Sequence, residues 1–374
     1  MVHIRSNCRT TAVATPASRR QFLRLAGGAG FAATGASAMA RSLAQAADPR
    51  VAEVIAAVTS VDLHSHAGGR LSGSNGPAPF NVAERMKRGH FGVVTMAAIA
   101  DRPLLRRNGV RVSAIRQPQP GELYRETNGQ FIVILNMVKD QGFRLVRGLQ
   151  DMPAPGSDVP GLILGAEGAD FLEGKIERIK EAHGFGLRHL QLVHYRVNEL
   201  GDIQTEPPVH NGLTDFGAAV IAECNRLGII IDLAHASEAA TVRAAAVTRT
   251  PIVLSHSSLR PSGSQNPRML SKEHARAVAA TDGVVGVWPI GLFLPDMTAW
   301  AGAIRAMVDV VGVDHVGIGT DMEGGIKELF ADYADYPRVI EALLGAGFSV
   351  ADTVKIVGGN HARVFAKVAA VASS

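Results

Sequence analysis

IIIDLAHAS, from Ile229 to Ser237, is a short apolar run of buried-strand type that ends in a carboxylate and an imidazole. The same pattern recurs in VDLHSHAG from Val61, LILGAEGA from Leu162, HLQLVHY from His189, PIVLSHSS from Pro251 and HVGIGTDMEG from His315. These runs deliver His64 and His66, Glu167, His194, His235, His256 and Asp321, all residue types that bind metal ions or carry protons. With the apolar runs at 91–99 and 283–290, the predicted strands number eight: 59–67, 91–99, 161–168, 187–195, 228–236, 251–258, 283–290 and 315–321. Strand and helix patterns alternate, which predicts an α/β fold of the (β/α)8 TIM-barrel type. Active sites of that fold gather at the C-terminal ends of the strands, where every residue named above falls.

Helical periodicity fills most of the gaps. Asp215 to Leu227 has Thr214 as N-cap and Gly228 just past its end, and Ser271 caps a stretch running to Ala280. Further helices are predicted over 297–311, 336–346 and 350–369, the last behind a capping-box pattern of Ser349 and Asp352. Two insertions rich in Pro, Gly and polar residues, at 101–160 and 196–213, are expected as loops over the barrel mouth, the first with a helix around Leu123 to Asp140.

The first 46 residues read differently. Ser18, Arg19, Arg20, Gln21, Phe22 and Leu23 form a twin-arginine pattern, an apolar Gly/Ala stretch follows from Leu25 to Met39, and Ala44-Gln45-Ala46 is an AxA-type cleavage site. We expect a cleaved export signal at 1–46, a partnership with the twin-arginine translocation machinery, a periplasmic or otherwise exported product, and one metallohydrolase domain at 47–374. That route serves proteins folded before export, which suits a metal loaded in the cytoplasm. The leader holds six arginines and no acid; without them 38 basic side chains become 32 against 34 acidic ones, a formal charge of −2. Such a balance gives no reason to expect nucleic acid or an anionic membrane as a partner. The leader also carries Cys8, so Cys224 alone remains, as a small helix residue without an intrachain disulfide. The oligomeric state stays open, a homodimer included.

His64 and His66 stand two apart, so on a strand both face the same way and can bind one ion. His235 and His256 each close a strand of their own. Glu167 ends a strand where a lone carboxylate is costly, and it reads as the bridge between two ions about 3.5–4 Å apart; the competing reading pairs it with Arg196. Asp321 either ligates a metal, handles protons or caps the Gly324-Gly325 turn. With five ligands already assigned, His194 suits an electrophilic or oxyanion role. His90, His183, His189, His210, His274, His315 and His361 read as structural or solvent-facing.

DLAHAS (Asp232–Ser237), LSHSS (Leu254–Ser258), Glu167-Gly168, VHYRVN from Val193, GTDMEG from Gly319 and GGNHARVF from Gly358 together resemble the membrane, or renal, dipeptidase family. The resemblance covers essentially all of 47–374 and implies a binuclear zinc (β/α)8 hydrolase. On it, His64 and His66 hold one zinc, Glu167 bridges, and His235 and His256 hold the other. Asp321 matches the catalytic acid, His194 the carbonyl-polarising histidine, and Arg268 the binder of the substrate carboxylate, with Arg260 as the alternative. The implied reaction is attack of a metal-bridging hydroxide on the amide of a dipeptide. The same metals could act on an ester, a lactone or an N-acyl amino acid, and a non-catalytic periplasmic metal-binding protein is the distant alternative. Three departures touch specificity: His66 stands where the family has Asp, Ala169-Asp170 follow Glu167-Gly168, and Trp288-Pro289-Ile290 replace the aromatic expected after the seventh strand.

Overall fold

The computed structural model describes residues 48–68, 80–324 and 327–372, so the expected leader lies outside the described residues. Among the described residues are eleven strands: β1 (Val61–Ser65), β2 (Val93–Ile99), β3 (Leu105–Asn108), β4 (Arg111–Ala114), β5 (Arg144–Leu145), β6 (Gly161–Glu167), β7 (Leu187–Gln191), β8 (Ile230–Asp232), β9 (Val253–Ser257), β10 (Val284–Val287) and β11 (Val316–Ile318). Eight form a parallel sheet in the order β1-β2-β6-β7-β8-β9-β10-β11, with short β5 on the flank of β6. A Ser65–Met322 bridge, with His66 N–H donating to the Met322 carbonyl, brings the last strand back to the first and all but closes the barrel. All eight predicted strands are therefore found, and Asp48–Ser374 forms one compact unit.

The strands approach closely because glycines remove side chains where backbones meet. A Cβ on Gly286 or on Gly319 would lie 1.8 Å from the Ser255 carbonyl oxygen, so only glycine fits beside β9 at these two points. At the opposite end, Val61, Val93, Val253 and Val284 from the strand starts form one apolar cluster with Val364, Phe365 and Val368 of the C-terminal helix. That helix closes the N-terminal end of the barrel and leaves the other end for the site.

Most helices match the sequence reading: Asp215–Leu227 is capped by Thr214 and ended by Gly228, and Met297–Val311 and Tyr336–Gly345 are in place. Two expectations need correction. The stretch 350–369 is not one regular helix, because a π segment at Lys355–Gly359 separates Val350–Val354 from Asn360–Ala372. Gly358 there sits against the Thr59 carbonyl, where a Cβ would approach to 2.1 Å, and the wider turn makes room for the contact. The helix in the first insertion, Glu122–Gln141, does not cover the mouth. It buries Phe131, Ile134 and Met137 in the main core, while Gln130 pairs with both the N–H and the carbonyl of Ile99, as a crossover helix between β2 and β6 would. The part of that insertion at the mouth is the β3–β4 hairpin. Among the described residues no helix is long and apolar enough to cross a membrane.

Candidate active site

The strands end earlier than the sequence pattern implies, and several site residues sit on the irregular backbone just beyond them. His194 lies three residues past β7, His235 three past β8 and Asp321 three past β11. His235 and Asp321 have positive φ, 66° and 49°, a region costly for side chains other than Gly, Asn or Asp. These turns re-aim the side chains from the rim toward the barrel axis.

There the predicted residues meet. Glu167 Oε2 is 3.2 Å from His66 Nε2, and its Oε1 is 3.4, 3.5 and 3.7 Å from the Nε2 atoms of His64, His235 and His256. Two groups of donor atoms result, His64–His66–Glu167–Asp321 and Glu167–His235–His256, with Glu167 common to both. The Nε2 atoms of His64 and His66 are 3.2 Å apart and those of His235 and His256 3.1 Å, all on fully buried rings. Imidazole nitrogens gathered this closely around one carboxylate fit a cation, since desolvated lone pairs aimed at one another are otherwise costly. His66 Nδ1 donates to the Ala97 carbonyl at 3.0 Å, which leaves Nε2 as the free lone pair a metal needs.

Burial and charge act unequally on the members of the cluster. Burial pushes His235 and His256 well below the ordinary histidine value, which keeps them neutral. Burial alone would raise the Glu167 carboxyl, but His194, His64 and His235 hold it well below the carboxylate range. Burial raises Asp321, against the opposing pull of His66. His64 is raised because Glu167 outweighs burial, and His194 is raised too. The His194 Nδ1 is 2.7 Å from Asp101 Oδ1, and that carboxylate with Glu167 outweighs burial and lifts His194 to about 9. His194 Nε2 points to within 3.3 Å of Glu167 Oε1.

The alternatives for single residues resolve by position. Arg196 pairs with Asp170 at 2.9 Å and Glu199 at 3.1 Å, not with Glu167. The Gly324 N–H is capped by the Asp321 backbone carbonyl, which leaves the Asp321 carboxylate free to face His66 at 3.5 Å. Arg268 is buried beside the site, donating Nη1 to Gln204 Oε1 at 2.8 Å and Nη2 to the His256 carbonyl at 3.2 Å, while its Nε has no partner. Arg260 donates to the Met269 carbonyl and lines a separate cavity of about 690 Å³ against the Met297–Val311 helix. Of the remaining histidines, His189, His274 and His361 are buried away from the cluster.

Four supporting residues were not anticipated. Asp101 orients His194; Gln204 holds Arg268, and its N–H bonds the His235 carbonyl; Asp62 and Asp232 brace the strands that carry His64 and His235. Three carried a signal. The run at 91–99 ends in Asp101 by the same rule that marks Glu167, and Asp-Leu precedes the histidines in both VDLHSH and IIIDLAH.

The membrane dipeptidase family (peptidase family M19) matches residues 50–374. The dipeptidase aclJ of Aspergillus oryzae is 33% identical over 293 residues, 71% of this chain and 67% of that protein, and the dipeptidase tcpJ of Claviceps purpurea is 32% identical over 228 residues, 57% of this chain and 52% of that protein. Among solved structures, the probable dipeptidase PvdM of Pseudomonas aeruginosa superposes with a TM-score of 0.72 at 19% identity, covering 86% of this chain and 98% of that one. A Rhodobacter sphaeroides metallopeptidase liganded with a phosphinate mimic of the dipeptide L-Ala-D-Ala superposes with a TM-score of 0.68 at 21% identity, covering 83% and 99%. A donor cluster at the C-terminal rim of a (β/α)8 barrel and a family match over nearly all of the described chain lead to one conclusion: the chain belongs to the membrane dipeptidase family and is a hydrolase of the metallodipeptidase class.

Proposed function

We propose that the protein hydrolyses the amide bond of dipeptides with two zinc ions, one held by His64 and His66, the other by His235 and His256, with Glu167 shared. The observation that carries this reading is the pair of donor groups with one carboxylate in common. When bound, the ions supply Lewis acidity, lowering the pKa of the attacking water and neutralising charge on the carbonyl oxygen. The protein's own residues do the rest. His194, protonated against Asp101, donates from Nε2 to the carbonyl oxygen and stabilises its developing charge. Asp321, with its carboxyl raised by burial, takes the proton of the water and returns it to the leaving amine. Arg268, with its Nε free and its guanidinium fixed by Gln204, pairs with the substrate's terminal carboxylate. The dipeptide mimic bound by the Rhodobacter sphaeroides relative supports a substrate of this size.

The test is a panel of dipeptides with L and D C-terminal residues, each also offered as its C-terminal amide, with zinc-reconstituted protein and the Asp321→Asn and Arg268→Ala variants. Asp321→Asn should lower kcat by about 10²–10⁴-fold, and amidation and Arg268→Ala should cost the same activity without adding to one another. A protein that binds two ions yet cuts no dipeptide would refute the reading and turn attention to esters, lactones and N-acyl amino acids. We further propose export through the twin-arginine route, on the sequence of the leader alone. Replacing Arg19 and Arg20 by Lys should retain the protein inside the cell, and an unchanged distribution would refute this.

A further inference from the structure

Two cavities adjoin the donor cluster, and they differ in chemistry. The smaller, about 270 Å³, holds His66, Glu167, His194 and Asp321 together with Arg107 and Glu323. The larger, about 500 Å³, is walled mainly by apolar side chains. Its inner wall is Tyr195, whose ring is 4.8 Å from that of His235, and Trp288, 5.8 Å from that of His256, so it opens directly beside the second donor group. Tyr195 and Val112 line both cavities and make them neighbours.

The outer wall of the larger cavity is unusual for a folded surface. Val110, Leu292 and Phe293 are 71%, 40% and 42% exposed, and they converge from segments some 180 positions apart on this one space. Exposed apolar groups that serve no core, collected beside a reactive centre, mark a surface completed by a ligand. Val110 is at the tip of the β3–β4 hairpin, and the hairpin is fixed on two sides: Arg111 pairs with Glu206 at 2.9 Å, and Arg107 donates to the Gly324 carbonyl at 3.0 Å. The wall is thus held in place across the mouth.

Arg268, 94% buried and unpartnered at Nε, lines the same cavity. A substrate whose carboxylate paired with Arg268 would have this space beside the side chain on the adjoining Cα. Its ammonium end then faces the smaller cavity, where Asp321 and Glu323 supply the acids. We infer that the 500 Å³ cavity is the subsite for the side chain of the C-terminal residue, and that the enzyme selects dipeptides ending in a large apolar or aromatic residue over those ending in Gly or Ala. This inference rests on the dipeptidase reading above.

The experiment is a kcat/KM series over Ala–Gly, Ala–Ala, Ala–Leu and Ala–Phe with the zinc-reconstituted protein and the variants Val110→Asp and Leu292→Asp, both at exposed positions. From Gly to Phe, kcat/KM should rise by at least about 10-fold, the order expected for burying one large apolar side chain, and mostly through KM. In each variant the Ala–Phe to Ala–Gly ratio should fall toward one. A flat or inverted series, or a ratio that survives both substitutions, overturns the inference while Ala–Gly turnover leaves the dipeptidase reading standing. Absence of turnover on every member, Ala–Gly included, overturns both.

Discussion

His64 and His66 reach one side of Glu167 from a single strand, whereas His235 and His256 reach the other side from two. The first pair needs only the two-residue period of a pleated strand to face one way, with β1 shifting register against β2 between Asp62 and Ser65. The second depends on a left-handed turn at His235 and on the separation of β8 from β9, which share a single register pair, Asp232 and Val253. Each side has a buried aspartate beneath it, and the two differ in kind. Asp62 accepts from Thr320 N–H at 2.9 Å, Thr320 Oγ1 at 2.6 Å and Tyr333 Oη at 2.7 Å, all neutral donors, and burial raises its pKa. Asp232 accepts from Ala234 and Ser255 N–H, each at 2.9 Å, and lies 2.9 Å from His189 Nε2; burial opposes ionisation, but His189 outweighs it and holds the carboxyl low. The pair on one strand has beneath it a carboxyl raised by burial among hydroxyl and backbone donors, and the pair from two elements has one held low beside His189.

The change that breaks the comparison outright is Glu167→Ala, because that carboxylate belongs to both halves. Metal analysis should find both ions weakened and dipeptide turnover down by at least about 10⁴-fold. Retention of one tightly held ion would show that the halves do not share this ligand.

Asp62→Asn and Asp232→Asn should separate the halves. Substitution of groups that orient ligands costs about 10–100-fold in metal affinity. Two-site titration should assign the larger loss to Asp232→Asn, because Asp232 fixes both the Ala234 turn and the N–H of Ser255 beside His256. An equal loss from both variants would show that the two aspartates brace their histidines alike.

His66→Asp probes the first half more gently. The variant should still bind two ions, with preference moved toward harder metals such as manganese, by less than about 10-fold, as one imidazole becomes a carboxylate. Competition between zinc and manganese measures it, and loss of an ion would mean that the local geometry admits only imidazole.

The smallest effect concerns histidines outside both halves. Burial lowers His361 to about 3 and His274 to about 4, so both are neutral in the folded chain while the unfolded chain protonates near 6.5. Their contribution to stability is complete above pH 6.5 and is lost as pH falls, by about 1.4 kcal/mol per unit for each, until the folded values are reached. Thermal melts of His361→Leu should therefore show a shallower fall in Tm between pH 7 and 5 than the parent. An unchanged slope would place the acid sensitivity elsewhere.

The barrel was legible because buried parallel strands leave continuous apolar runs, and the donors were legible because a titratable residue at the end of such a run needs a partner. What escaped was whatever depends on contacts distant in sequence. Nothing local to Gln204 or Tyr333 marks them, since their roles come from Arg268, 64 residues away, and from Asp62, 271 residues away. The Glu122–Gln141 helix was expected at the correct position but at the wrong place in space, because periodicity gives a buried face without saying which surface covers it. Asp101, just past β2, carries the same local signal as Glu167.

The proposed mechanism stands on two ions acting together around Glu167. Zinc titration of metal-free protein, followed by bound metal and by dipeptide turnover on the same samples, tests it most directly. Two equivalents should bind per chain, and turnover should reach its plateau only with the second. A plateau at one equivalent, or two bound ions without turnover, would contradict that mechanism.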